Sequence, residues 1–283
     1  QAILNRVAGK NIQQAVSVAT AAGFVVQITG LMLAGQMGNL GLSVVLFIQG
    51  ICFALGVLAV KKIESAPVSP APSKESSWVT VIAGLKAIYQ HKIIYHVLGT
   101  NFISSIFNAG AFITVFPFII KRVYEGDALL LGSMMAVFYA GATVSNLLIY
   151  KIMPIMRPGR LFLLMQLTRM VILYLLWIEP GWWLLIAATI AWGMNMGFTT
   201  TLARTIVQES ADKAFLGRIM SVFTLGMMGS APIGAIVLGY IIEIFGTLNA
   251  LLPAIGVSLI LCLSGIAFTG IWQYVSPTAD SNE

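Results

Sequence analysis

The sequence predicts an all-α membrane protein, a polytopic helical bundle of eight spans, on three observations. The chain is 58% hydrophobic and 9% charged, with mean hydropathy +0.92, whereas an average soluble domain is roughly 25% charged. A water-soluble fold of this size could not hide so much apolar surface. Eight apolar runs each reach the roughly 20 residues that a helix needs to cross a hydrocarbon core of about 30 Å. Lys and Arg gather on one side of those alternating runs, as they do in membrane proteins.

In chain order the runs lie near 12–36, 39–61, 94–120, 129–153, 160–178, 182–203, 218–243 and 247–273. With the N-terminus placed in the cytoplasm, only Lys121 and Arg122 of the sixteen basic residues fall on the far side, and Arg169 lies within a span. Both chain ends are then cytoplasmic. The net charge of +6 is accounted for by this asymmetry, so it is no footprint for nucleic acid. Cys52 and Cys262 both sit in apolar runs, where a free thiol packs as a small hydrophobe.

Between the second and third runs, Glu64 to Ser77 reads ESAPVSPAPSKESS, an extended Pro- and Ser-rich linker. Beyond it Trp78, Val81, Ile82, Leu85, Ile88 and Tyr89 recur at helical spacing, with Lys86 and Gln90 off that face. The pattern predicts an amphipathic helix lying along the membrane surface. The organisation is therefore 1–62 with two spans, 63–92 with linker and surface helix, 93–275 with six spans, and a tail at 276–283.

Polar side chains inside a span are costly unless they meet a cavity or another helix. Asn101, Ser104, Ser105, Asn108 and Phe112 share a face of the third run, and Tyr139, Thr143, Asn146 and Tyr150 a face of the fourth. Trp192, Asn195 and Thr199 align on the sixth. Hydrogen bonds between helices, each worth about 0.6 kcal/mol, are the alternative to cavity-lining for each of these residues. Arg169 lies near mid-bilayer, where an arginine costs at least about 2.5–3.5 kcal/mol. No Asp or Glu of the chain lies at its depth. Its partner is then a carbonyl, a side chain such as Gln166, a residue outside this chain, or an anionic ligand.

Other chemistries find no support. His91 and His96 offer no metal-ligand spacing, and the chain has neither a phosphate-binding P-loop nor a nucleophile elbow. The expectation is a protein that is not an enzyme and holds no metal or cofactor.

From Arg204 to Gly246 a charged loop opens into a glycine-studded span. Gln208, the run Gly217-Arg218-Ile219-Met220-Ser221, Pro232, Gly234 and Gly239 resemble the penultimate helix of a major facilitator superfamily transporter. The resemblance is to the bacterial exporter branch, which includes enterobactin-exporter-like proteins. An internal match supports it: Ser17, Gly30 and Gly35 correspond to Ser221, Gly234 and Gly239 at a constant offset of 204. That is the signature of two parallel half-repeats. The loop KIMPIMRPGR keeps the Gly159-Arg160 of the family's cytoplasmic loop and lacks its acidic residue.

The resemblance implies the fifth to twelfth helices of a twelve-helix transporter, with residues 1–62 closing its N-terminal bundle and four helices preceding Gln1. It implies a monomer in a bacterial inner membrane that effluxes small, partly apolar molecules by alternating access. The third and sixth spans would line the central cavity, which makes Asn101, Asn108, Phe112, Trp192, Asn195 and Thr199 candidates for the substrate cavity; Tyr139 and Asn146 of the fourth span and Arg169 of the fifth are further candidates. The first and seventh spans would slide at the interface of the halves, making Gly30, Gly35, Arg218, Pro232, Gly234 and Gly239 candidates for a conformational role. The implied partners are a small-molecule substrate, the lipid bilayer and the N-terminal helices. A non-transporting scaffold or receptor with the same fold is the alternative.

Overall fold

The computed structural model of the protein describes residues 12–37, 41–61, 77–152, 155–212 and 215–277. Every regular element among them is helical. They are α1 (Ile12–Met37), α2 (Leu42–Lys61), α3 (Ser77–Gln90), α4 (Lys92–Val123), α5 (Ala128–Ile152), α6 (Pro158–Trp177), α7 (Trp182–Ser210), α8 (Leu216–Phe245) and α9 (Leu252–Phe268). The linker residues 62–76, much of the tail and the surroundings of Gly35 lie outside the described residues.

Among the described residues, α4, α5, α6, α8 and the segment Asn249–Phe268 are long and apolar enough to cross a membrane. Helices α1 and α2 contribute the shorter apolar stretches Ala21–Leu33 and Ser43–Ala59. Helix α7 is the longest element after α4 and α8, at 29 residues, but its polar residues Asn195, Thr199 and Thr201 lower its hydropathy. Those residues are buried against neighbouring helices, so α7 is solvated by protein more than by any apolar medium.

Small residues decide how closely the helices approach, as expected where lipid gives no hydrophobic drive for association. A Cβ on Gly193 or Gly197 of α7 would overlap the Phe138 carbonyl or the Ser145 hydroxyl of α5. Helices α4 and α8 cross where Gly110 meets Gly234, and a Cβ on Gly234 would strike the carbonyl of Ile106. Helix α6 packs on α9, with Gly265 under the Leu163 side chain. The core fills the space between these pairs with Phe112, Phe116, Phe138, Leu173, Leu185 and Trp192.

Helix α4 carries π-helical turns at Ala111–Val115 and Ile119–Val123 on either side of Pro117. Proline supplies no N–H, and its ring collides with the carbonyl four residues back. The wider turns absorb that collision without ending the helix.

Two expectations need correction. The final run does not continue to residue 273: α9 ends at Phe268, and Gly270 takes a left-handed conformation (φ 70°) before a short 3-10 turn at Ile271–Gln273. The surface helix α3 does not simply lie on the membrane. Gly84, Ala87 and Ile88 are buried against α8, where a Cβ on Gly84 would come 3.1 Å from the Arg218 carbonyl, while Ile82 and Tyr89 are 61% and 77% exposed. The side chains of Trp78 and Val81 lie outside the described residues. Helix α1 lies on α5, with the Phe24 and Tyr139 rings 5.8 Å apart and Gln27 hydrogen-bonded to Tyr139. Helix α8 packs within its own bundle on α4.

Candidate functional site

Helices α4, α6 and α7 converge on Arg169, which is 3% exposed. Its Nε donates to Asn195 Oδ1 at 3.0 Å, Nη1 to Gln166 Oε1 at 3.1 Å and to the Ser104 hydroxyl, and Nη2 to Thr199 Oγ1 at 3.1 Å. Asn195 in turn donates to the Met165 carbonyl at 2.6 Å and the Thr168 hydroxyl at 2.9 Å. Ser104 donates to Gln166 Oε1 at 3.0 Å. Among the described residues no carboxylate pairs with the guanidinium; neutral oxygens from three helices carry the charge. Of the partners open at the sequence level, side chains met the need, Gln166 among them. The amide nitrogen of Gln166 is buried with no hydrogen-bond partner.

This cluster reassigns two candidates. Asn195 and Thr199 turn toward α6 and are consumed by Arg169, Met165 and Thr168, so they hold helices together. A buried charge left without one of these oxygens would cost several kcal/mol, which explains why so many neutral groups crowd it. Asn146 is spoken for in the same way. It is fully buried, donating to the Ala142 carbonyl and accepting from the Thr201 hydroxyl, each at 2.8 Å. Phe112 stacks on Phe138 with centroids 3.8 Å apart and meets Trp192 edge-on. It belongs to the aromatic core.

Asn108 and Trp192 form the other polar junction between α4 and α7. The indole N–H donates to Asn108 Oδ1 at 2.7 Å. Trp192 is fully buried while Asn108 is half-buried, so the amide is presented at span depth on a rigid aromatic support. Tyr139, also half-buried, edges Phe112 and Phe138 on α5. Asn101, two helical turns before Asn108 on the same face, lines a groove between α3, α4, α8 and α9. The structure thus leaves Asn108 and Tyr139 half-open, sets the buried Asn101 on the wall of that groove, and withdraws Asn146, Asn195, Thr199 and Arg169 into helix contacts.

The glycine candidates divide similarly. Gly234 is a close-approach point inside the six-helix bundle, whereas a Cβ on Gly239 would make an ordinary contact 3.9 Å from Thr114 and one on Gly30 would meet nothing within 4 Å. Pro232 is exposed within α8. Arg218 lies over the Phe215 ring at 5.9 Å, and its carbonyl abuts α3.

Sequence reasoning assigned no role to Glu209, near the end of α7. Its carboxylate accepts from Tyr274 Oη at 3.2 Å and Ser276 Oγ at 2.8 Å. Nearby, Arg160 stacks over Trp272 at 5.2 Å and donates to its carbonyl at 3.2 Å, and the Ser276 N–H donates to the Met156 carbonyl at 3.0 Å. The segment after α9 therefore straps the α5–α6 loop to the end of α7. Burial pushes the Tyr274 hydroxyl up to about 12, with help from the Glu209 charge. Only the acid's position beside a basic loop was visible in the sequence; its partners lie 65 or more residues away.

His91 Nε2 lies 3.4 Å from Asp212 Oδ2 at the surface, and no His, Cys, Asp and Glu group among the described residues could hold a metal ion. The geometry suits binding and movement of a ligand better than bond chemistry: it presents amides, hydroxyls and aromatic faces. No individual curated protein matches the chain. A family model of the Major Facilitator Superfamily matches residues 98–283, which takes in α4 to α9 from Leu98 onward with the Asn108–Trp192 junction, and the chain belongs to that superfamily.

Proposed function

We propose that the protein is a secondary transporter that exports small, partly apolar molecules by alternating access, with Asn108 as a substrate contact. The observation that carries this reading is the Asn108 amide. It is held at span depth by a fully buried indole, yet its own side chain is only half-buried among aromatic neighbours. A polar group fixed on apolar walls suits a ligand that is mostly hydrophobic with one or two hydrogen-bonding atoms. Tyr139, edge-on to Phe112 one turn beyond Asn108, extends that surface, and the basic loops support a cytoplasmic Glu209 end. Movement would come from α4–α9 rocking as a unit against the helices before the linker, with the α1–α5 contact at Phe24 and Tyr139 as one bearing.

The test uses everted membrane vesicles containing the protein and a panel of radiolabelled aromatic amphiphiles. Uptake of at least one compound that falls about tenfold in Asn108→Ala, at equal protein abundance, supports the reading; a tenfold loss corresponds to about 1.4 kcal/mol of lost interaction. Uptake of none, or equal uptake by both proteins, overturns it. A scaffold or receptor with this fold is favoured by the engaged Asn195 and opposed by the half-open Asn108.

A further inference from the structure

The groove at the basic end of the bundle has the chemistry of a lipid site. It occupies about 860 Å³ between α3, α4, α8 and α9, within the roughly 300–1,000 Å³ that seats a whole small ligand. No Asp, Glu, Lys or Arg lines it. Leu85, Phe102, Ile103, Leu225 and Ile233 supply apolar walls. At its mouth the rings of Tyr89 and Tyr95 meet edge-on at 5.8 Å, and Tyr95 meets His96 at 5.4 Å. Tyrosines of this kind sit at the headgroup level of membranes. Lys86 and Lys92, both exposed, flank that aromatic collar in sequence on α3 and α4. Neither Asn108 nor Trp192 lines the groove, so it is separate from the proposed substrate contact.

An apolar slot, an aromatic collar and two exposed lysines adjoining that collar in sequence match a ligand with an alkyl chain and an anionic head. A neutral apolar ligand would have no use for the two ammonium groups, and a cationic one would be repelled. We propose that this groove binds one anionic phospholipid, its acyl chain along Tyr95, Phe102 and Ile103 and its phosphate at Lys86 and Lys92. The floor is backbone-lined: Gly99 and Gly229 both border the groove, and a Cβ on either would meet no atom within 4 Å. A leucine at either position therefore fills lipid space without striking protein. Because α3 is docked on α8 through Gly84 and Ile88, a lipid seated here would bridge the linker's helix to the bundle.

Native mass spectrometry of the intact detergent-purified protein, titrated with palmitoyl-oleoyl phosphatidylglycerol or the matching phosphatidylcholine, tests this. The wild type should retain one phosphatidylglycerol in preference to phosphatidylcholine. Gly99→Leu and Gly229→Leu should each weaken retention about tenfold, the effect of two methylenes left unburied. Lys86→Glu with Lys92→Glu should weaken phosphatidylglycerol by about fivefold or more per charge and leave phosphatidylcholine unchanged. Equal retention by wild type and variants that unfold at the wild-type temperature overturns the proposal, and so does indifference to the headgroup. If a leucine variant fails to fold, the lysine pair decides alone. A dimer that persists in lipid-free detergent and is lost in Gly229→Leu would assign the groove to a second copy and overturn the proposal as well.

Discussion

The Trp192 indole nitrogen lies 2.7 Å from the Asn108 side-chain oxygen, joining α7 to α4 across the aromatic core. Two residues 84 apart in the chain thereby set an amide beside the aromatic core that is both fixed and partly open. Asn108→Ala leaves the fully buried indole N–H unpaired, which costs about 1–3 kcal/mol. Trp192→Phe keeps the aromatic contacts and frees the half-exposed amide to find other partners, costing about 1 kcal/mol. Thermal unfolding in detergent should rank Asn108→Ala below Trp192→Phe, and ligand uptake should fall in both.

Arg169 and Asn195 should behave as one unit. Either change to Ala removes a buried charge's support or leaves its acceptors empty, with an expected loss of about 3–5 kcal/mol. The double substitution should cost clearly less than the sum, by about 1–3 kcal/mol of coupling. Additive losses in chemical unfolding would show that the Nε–Oδ1 contact at 3.0 Å carries no special weight.

Gly234 and Gly239 separate packing from mere smallness. Gly234→Ala drives a methyl group into the Ile106 carbonyl and Gly110, so α4 and α8 must part, at about 1–3 kcal/mol for the overpacking. Gly239→Ala meets Thr114 only at ordinary contact distance and should be neutral or slightly stabilising within a helix. Size-exclusion monodispersity and unfolding temperature of the two variants read the difference.

The Tyr274 strap should open with alkali. Its hydroxyl is raised from 10.0 to about 12 in the folded protein. The folded state therefore holds the proton more tightly than the unfolded state, and stability falls with rising pH between those values. The contribution is fully present below pH 10.0 and lost as pH passes about 12. Proteolysis of the C-terminal segment should accelerate across that window in the wild type, and Tyr274→Phe should flatten the dependence.

Much of this architecture was legible because lipid imposes a simple rule: backbone polar groups must be paired within each span, so long apolar runs become helices. The fourth to seventh runs appear as helices within a few residues of their read positions, apart from the extended end of α7. The candidate site was half legible. Polar residues at helical spacing identified which faces of α4, α5 and α7 carry chemistry. Spacing says nothing about what stands opposite. Asn195 and Asn108 look alike in sequence, yet Arg169 claims one and Trp192 holds the other with its own surface partly free.

Hydropathy and 3.6-residue periodicity are local properties of the chain, and they already specify its apolar medium, its helical class and the helix face that each polar residue occupies. That α1 rests on α5, that Gly234 is a crossing point within the bundle, and that Glu209 anchors a segment 65 residues downstream emerge from packing between distant parts of the chain. These depend on which helices are neighbours, and that is set by how small residues and buried hydrogen bonds match across faces distant in sequence.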